Sequence, residues 1–431
     1  AWEVFEAVEA NNVAPDQVMC SMMITAMREH GRSAKECWEF FESMNVKGVE
    51  WGPEVLGALV KSFCKEGLKK EAIILQMEME KTGVYADAEV YNTLMDAYCK
   101  SDHIEEAEGL YAEMNSKGVK PTSTTYNILM DAYSRRTQPD IIEELMVEMQ
   151  GAGMEPNIVS YTCLIRAYAK HKRKSEMAED AFLKMREVGL VPDSHSYTEL
   201  IRAYSVGGRH QNACTAFEDM LKEGIEPSIE TYTALLDALR RGGDTETLMI
   251  IWKMMLREMV EPTEVTFNTL LDGFAKQGLY EEAKEVVSEF GKLGLKSTVV
   301  TYNILMNAYA RGGQYSMLPQ LLNEMESVNL KPDSITYTTM IYAYIRAQDF
   351  KRAFFYYKQM VRSRQLPDAK SFQKLRATLT AKSARSTKKD KKAIREIINA
   401  KFHGLHTRRK SKKDEFWKGR KKQVKDVRQP S

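Results

Sequence analysis

Two sets of short polar side chains recur along this chain at a fixed interval. The first is Asn92, Asn127, Thr162, Thr198, Thr233, Asn268, Asn303 and Thr338, each directly after an aromatic residue (Tyr91, Tyr126, Tyr161, Tyr197, Tyr232, Phe267, Tyr302, Tyr337). The aromatics are spaced 35 residues apart, with one step of 36. The second set is Thr122, Asn157, Asp193, Ser228, Thr263, Thr298, Asp333 and Asp368, each 30 or 31 residues after its partner in the first. Amides, hydroxyls and carboxylates of this size present hydrogen-bond donors and acceptors at short reach, which suits the edge of an unstacked base. The same residue types are also preferred helix N-caps. Capping accounts for their polarity, but not for a first set almost confined to Asn and Thr.

A third series is cationic. Lys65, Lys100, Arg135, Lys170, Arg241, Lys276, Arg311 and Arg346 occupy one place in eight of ten units, the exceptions being Glu29 and Val206. One cation per repeat suits phosphates spaced one per nucleotide. Basic residues also favour helix C-termini, and the two explanations are compatible. The whole chain has a formal net charge of +2 over 431 residues, an average of two opposed parts. Residues 382–431 hold 19 Lys/Arg against 5 Asp/Glu, whereas residues 1–381 carry a net charge of −12. An acidic body with a basic tail often accompanies nucleic-acid binding.

The elements that must position these residues follow from the period. In the unit from Val299, Tyr302, Leu305, Met306 and Tyr309 mark one face of a first helix. Gly312-Gly313 is expected to end it, and Leu318, Leu321, Leu322 and Met325 mark a second helix. Pro332 is expected to close the unit, because proline disfavours helix in the residue before it. The polar residue after each aromatic is expected to point off the packing face. Ten units span 17–368, at 17–52, 53–87, 88–122, 123–157, 158–193, 194–228, 229–263, 264–298, 299–333 and 334–368. With place 1 as the first residue of a unit, the aromatic is at place 4, the Asn/Thr set at 5, the cations at 13 and the second polar set at the last place. Residues 1–16 read as the second half of a truncated repeat, 369–402 as a partial repeat with capping helices, and 403–431 as a basic tail. A single hairpin cannot bury both of its apolar stripes, but stacked copies share a continuous core. The fold is therefore expected to be all-α.

The repeated Tyr-Asn/Thr block and 35-residue period closely resemble the pentatricopeptide repeat family, in its plain 35-residue class. The tetratricopeptide repeat has a 34-residue period and Trp, Leu-Gly and Ala landmarks that these units lack. The resemblance implies a right-handed superhelical solenoid of helix-turn-helix repeats that binds single-stranded RNA, one base per repeat, in plant organelles. It implies that place 5 and the last place together select the base, with an aliphatic place 2 flanking it. Val159, Val265, Val300 and Ile335 match that flanking role, whereas Glu54, Glu89, His195 and Glu230 depart from it. Carried over pair by pair, the code implies approximately Y-C-G-A-A-Y-U-G, from Asn92/Thr122 through Thr338/Asp368. Ser21/Gly52 and Gly57/Asp87 fall outside the code and are left unread. Chloroplast is the implied compartment, with mitochondrion as the alternative. The implied outcome is transcript stabilisation, processing, splicing or translation through occupancy of the RNA site, with other RNA-processing proteins as possible partners.

Other classes find less support. A protein-interaction scaffold, the alternative, predicts varied residues at place 5 and no cationic series. Nuclease and deaminase relatives carry extra C-terminal domains, but residues 382–431 hold few carboxylates and neither His-x-Glu nor Cys-x-x-Cys. No enzyme, cofactor or metal site is expected. The six cysteines are dispersed and are expected to be reduced and packed between helices. No apolar run approaches the roughly 20 residues of a membrane span. The chain opens Ala1-Trp2-Glu3-Val4-Phe5, already helical in pattern and without Met, so any address signal is expected to lie outside it. In the tail, Ile394, Ile397, Ile398 and Phe402 extend an apolar stripe. Phe416 and Trp417 then sit among lysines and arginines, a composition suited either to base stacking or to a non-specific polycation.

Overall fold

The computed structural model describes residues 15–365 apart from 50, 51 and 82, together with isolated positions 5, 373, 377, 378, 380 and 394. Most of 1–14 and 366–431 lies outside these residues, including the expected truncated repeat, the capping stripe, the basic tail and Asp368. The described residues form 20 α-helices, one 3-10 turn at Tyr315–Met317, and no strand. No described helix is long and apolar enough to cross a membrane.

Helices alternate as the period predicts. First helices include Ala88–Lys100, Ser123–Arg135, Ile158–Ala169, Ser194–Gly207 and Ile229–Gly242, and each pairs with a second helix such as Pro139–Gly151 or His210–Lys222. Last-place side chains begin the first helices. Asp87, Thr122, Asn157, Asp193, Ser228 and Asp333 each accept from the backbone N–H three residues on, satisfying a donor that has no partner within the helix.

The chain divides into two compact units, 1–269 and 270–431. In the first, successive first helices pack on one another, and each also packs on the second helices before and after it. First helices are therefore the more buried layer: Ser123–Arg135 buries seven residues, and its partner Pro139–Gly151 buries four. Tyr126, Leu129, Met130 and Tyr133 meet Ile142, Leu145 and Met149 in the shared core. In the second unit, Val299–Arg311 packs on Leu318–Ser327 and on Ser334–Arg346. The expected face there is buried at Leu305, Met306 and Tyr309 and at Leu318, Leu321, Leu322 and Met325, while Tyr302 is half-buried.

Both punctuation marks fall where expected, and the geometry shows how each works. Only the second glycine of Gly312-Gly313 is left-handed, at φ 78°. Gly312 is needed for space, since a Cβ there would lie 2.7 Å from the Gly278 carbonyl oxygen. The second helix ends at Ser327, well before Pro332. Asn329 takes a left-handed φ of 61°, and the Leu330 N–H reaches back to the Met325 carbonyl at 3.0 Å, a helix-closing geometry that needs no proline.

All six cysteines are free: Cys20, Cys37, Cys99 and Cys163 are buried, and Cys64 and Cys214 half-buried. Burial pushes the Cys163 thiol up to about 12 and those of Cys20, Cys64 and Cys99 to about 11, which suits packing groups rather than nucleophiles. No cluster of metal-ligating residues occurs among the described residues.

Candidate nucleic-acid interface

The place-5 residues do not simply point off the packing face. Thr162, Thr198 and Asn303 are only 5%, 4% and 7% exposed, and Asn92, Asn127, Thr233 and Thr338 are half-buried. The expectation considered one hairpin alone. One residue past the aromatic turns about 100° around the helix, onto the face that the next repeat's first helix covers.

In that seam the place-5 side chains of six repeats meet a hydroxyl at place 3 of the next unit, and the three Asn among them also meet the last-place cap. Asn92 donates through Nδ2 to Thr122 Oγ1 at 3.2 Å and accepts at Oδ1 from Thr125 at 2.7 Å. Asn127 repeats this with Asn157 at 3.4 Å and Ser160 at 3.0 Å. Asn303 does so with Asp333 at 3.1 Å and Thr336 at 2.6 Å. Thr162, Thr198 and Thr233 lie 2.8, 2.7 and 2.8 Å from the hydroxyls of Ser196, Thr231 and Thr266. Those hydroxyls in turn contact Asp193 at 2.7 Å, Ser228 at 3.1 Å and Thr263 at 2.9 Å. Six polar triads result, five in the first unit and one in the second. The last-place residues are caps as well as triad members, so the two explanations of their type hold together.

Two predicted pairs stand apart from these six. Asn268 and Thr298 fall in different units, and Asn268 makes a 3.5 Å contact with Glu264. Thr338 donates to the Ser334 carbonyl at 2.5 Å, and its partner Asp368 lies outside the described residues. The place-3 hydroxyls had been seen only as part of the repeated block. They are fully buried at Thr125, Ser160, Ser196, Thr231, Thr266 and Thr336, and a buried hydroxyl needs a partner.

The flanking candidates Val159, Val265, Val300 and Ile335 are 49%, 66%, 52% and 60% exposed. In the repeat from Ala88, an open cleft of about 930 Å³ is lined by Lys61, Glu89, Asn92, Asp96, Thr122 and Thr124. Its walls thus include both polar partners of that repeat, with Glu89 in the flanking place and salt-bridged to Lys61.

The cationic series is less free than its spacing suggested. Lys100, Arg135, Arg241 and Lys276 pair with an Asp four residues earlier: Asp96 at 2.6 Å, Asp131 at 3.0 Å, Asp237 at 2.7 Å and Asp272 at 3.1 Å. Lys65, Lys170 and Arg311 donate to carbonyls near the end of the preceding first helix, those of Arg28, Arg135 and Lys276, each at 2.9 Å. Arg346 occupies the last turn of Ser334–Arg346. Helix-end chemistry therefore operates along the whole series. The place-9 acids were legible as an acid-before-base i,i+4 spacing.

Repeats 158–193 and 194–228 differ, because place 9 is Arg166 and Arg202. Arg166 bridges Asp131 at 2.7 Å and the buried Glu199 at 3.1 Å, and Arg202 meets Glu199 at 3.2 Å. Burial, together with the neighbouring Arg166, holds the Lys170 ammonium below the ordinary lysine range. A second cation crowded there favours the arrival of an anion.

Models of the PPR repeat family match residues 86–135, 123–170, 156–206, 262–311 and 297–346. The pentatricopeptide repeat domain matches 184–239 and 215–276, and the PPR repeat matches 55–84 and 335–364. A chloroplastic pentatricopeptide repeat-containing protein of Arabidopsis thaliana is 77% identical over 418 residues, covering 97% of this chain and 58% of that protein. The maize pentatricopeptide repeat protein PPR10 shares the fold at 22% identity and a TM-score of 0.54, over 92% of this chain and 65% of its own. PPR10 in complex with an 18-nt psaJ RNA element superposes with a TM-score of 0.48 at 21% identity, over 91% of this chain and 71% of its own. This chain thus spans less than two thirds of the Arabidopsis relative's length. With a tandem array of helical hairpins and family matches running almost without a break from 55 to 364, the chain belongs to the pentatricopeptide repeat family.

Proposed function

We propose that this chain binds one segment of single-stranded RNA, one base per repeat, and acts by occupying its site rather than by catalysis. The observation that carries this reading is the row of six triads, each with an Asn or Thr and a cap of variable type at the same seam. Packing alone would be satisfied by one triad composition repeated. The variation from Asn/Thr to Asn/Asn, Thr/Asp, Thr/Ser, Thr/Thr and Asn/Asp gives each seam its own donor and acceptor pattern. Exposed aliphatic side chains at place 2 supply an apolar surface against which a base can lie.

The proposed segment is approximately Y-C-G-A-A-Y-U-G, read 5′ to 3′ from Asn92/Thr122 to Thr338/Asp368. The proposed setting is the chloroplast, supported by the compartment of the Arabidopsis relative. There a bound protein can shield a transcript end, keep a region unpaired, or support splicing or translation. The proposed repeat array runs from 17 to 368, with 369–402 closing it and 403–431 as a basic tail. Enrichment from a random RNA pool at near-physiological salt tests the reading. Recovery of a short unpaired motif close to this one is the expected result. Salt-sensitive binding without a motif would reduce the role to electrostatics, and no binding would favour a protein-interaction scaffold.

A further inference from the structure

We propose that the buried hydroxyl at place 3 of the following repeat (Thr125, Ser160, Thr231, Thr266 and Thr336) is a positioning residue that takes up one lone pair of the preceding place-5 side chain and so fixes the single acceptor that side chain shows to a base. This deepens the RNA-binding reading and rests on it.

The argument is an accounting of protons. A hydroxyl has one proton to give and two lone pairs. Thr198 Oγ1 lies 2.7 Å from the Ser194 carbonyl, which can only accept, so the Thr198 proton is committed to its own helix. The 2.7 Å contact with Thr231 is then made with Thr231 as donor. Thr198 is left with one lone pair and no proton. Thr233 has the same arrangement, 2.8 Å from Ile229 O and 2.8 Å from Thr266.

The Asn seams have the opposite outcome. Asp333 Oδ1 accepts the Thr336 backbone N–H at 2.8 Å and, being a carboxylate oxygen, only accepts. The amide end of Asn303 that faces it at 3.1 Å must be Nδ2, which turns Oδ1 toward the Thr336 hydroxyl at 2.6 Å. One N–H and one lone pair of Asn303 remain. Asn127 is locked in the same way, because Asn157 Oδ1 already accepts the Ser160 N–H at 3.1 Å. Thr198 and Thr233 thus offer an acceptor alone, and Asn127 and Asn303 a donor beside an acceptor.

The sequence bears the coupling out independently. Each of the eight Asn or Thr residues at place 5 is followed by Ser or Thr at the next place 3, ending with Thr338 and Ser371. Where place 5 is Ser21 or Gly57, the next place 3 is Val55 or Val90. The Gly57 seam is apolar, since a Cβ on Gly57 would meet only Val90 Cγ2, at 3.9 Å.

The test uses the whole chain and synthetic RNAs carrying the proposed motif, with all four bases in turn opposite Thr198/Ser228. Thr231→Val removes the hydroxyl at nearly constant shape, and Thr231→Ser keeps it. The wild type should prefer one base there by about tenfold or more, the usual scale for a single read position. Thr231→Val should reduce that preference to under about threefold while preferences at the other positions persist, and Thr231→Ser should restore it. An unchanged preference in Thr231→Val overturns the proposal. Equal loss at every position overturns it too, because that marks a role in folding alone. A wild-type protein with no preference at any base overturns the RNA reading itself, and this proposal with it.

Discussion

Repeats 88–157 and 158–228 share one architecture yet present different chemistry on their first helices. The earlier pair has Asn92 and Asn127 at place 5 and Asp96 and Asp131 at place 9. Each amide spans the seam to the next cap, and each Asp offsets the cation four residues later. The later pair has Thr162 and Thr198, almost buried and bonded back to their own helices at 2.7 Å. Its place-9 residues are Arg166 and Arg202, so Arg166, Lys170, Glu199 and Arg202 sum to +2, whereas Asp96, Lys100, Asp131 and Arg135 sum to zero. Charge along these first helices is therefore uneven. In the proposed RNA complex, grip on the phosphate backbone concentrates at 158–228 and amide donors at 88–157.

The strongest challenge to this contrast is a matched pair of double variants. Arg166→Gln with Lys170→Gln should weaken RNA binding on the order of tenfold and make the salt slope shallower by about 1.4, roughly 0.7 for each lost phosphate contact. Asp96→Asn with Lys100→Gln removes one charge of each sign and should change affinity by less than about threefold. Titrations at several salt concentrations measure both, and equal losses would restore the uniform stripe.

A smaller and more local effect is expected from exchanging seam types. Asn127→Thr should remove the amide donor and shift base preference at one position by about tenfold, leaving the neighbours as they were. Competition among the four single-base RNAs measures this. A shift spread over several positions would mean that the seams are not independent.

Removing the acid that neutralises the earlier pair should act in the opposite sense. Asp131→Asn frees Arg135 and removes one of the two carboxylates held by Arg166, and binding should tighten a few-fold with a salt slope steeper by about 0.7 or more. The smallest effects separate capping from base choice. Asp87→Ala and Asp193→Ala each remove a helix cap and should each cost about 1 kcal/mol, measured by hydrogen exchange in the helices they begin. Only Asp193→Ala should also relax a base preference, because the seam partner of Asp87 is Gly57.

Much of this was legible in the chain. Period, hairpin and apolar faces follow from side-chain spacing, because a helix buries whatever recurs every three to four residues. The paired polar places were legible for the same reason. Orientation was not. One hairpin leaves Asn303 on its flank, and only the neighbouring copy buries it against Thr336. The role of the place-3 hydroxyl was hidden because Thr before Tyr reads as ordinary helix-start composition. The Asp partners of the cationic series were visible as i,i+4 pairs, but their significance depends on both groups sharing the face that carries the triads. The stop at 329–333 was legible in position, but its cause was not, because the left-handed Asn329 and not Pro332 closes the helix.

Each triad straddles a junction, and this separates two kinds of unit that are easily taken as one. The folding unit runs from cap to cap, as in 158–193. The recognition unit starts three residues later, at Tyr161, and closes at Ser196. A segment transplanted as 158–193 leaves its third member behind and borrows whatever hydroxyl the recipient supplies. One transplanted as 161–196 carries its letter whole. If each triad reads one base as proposed, only recombination at the offset boundary moves a complete character.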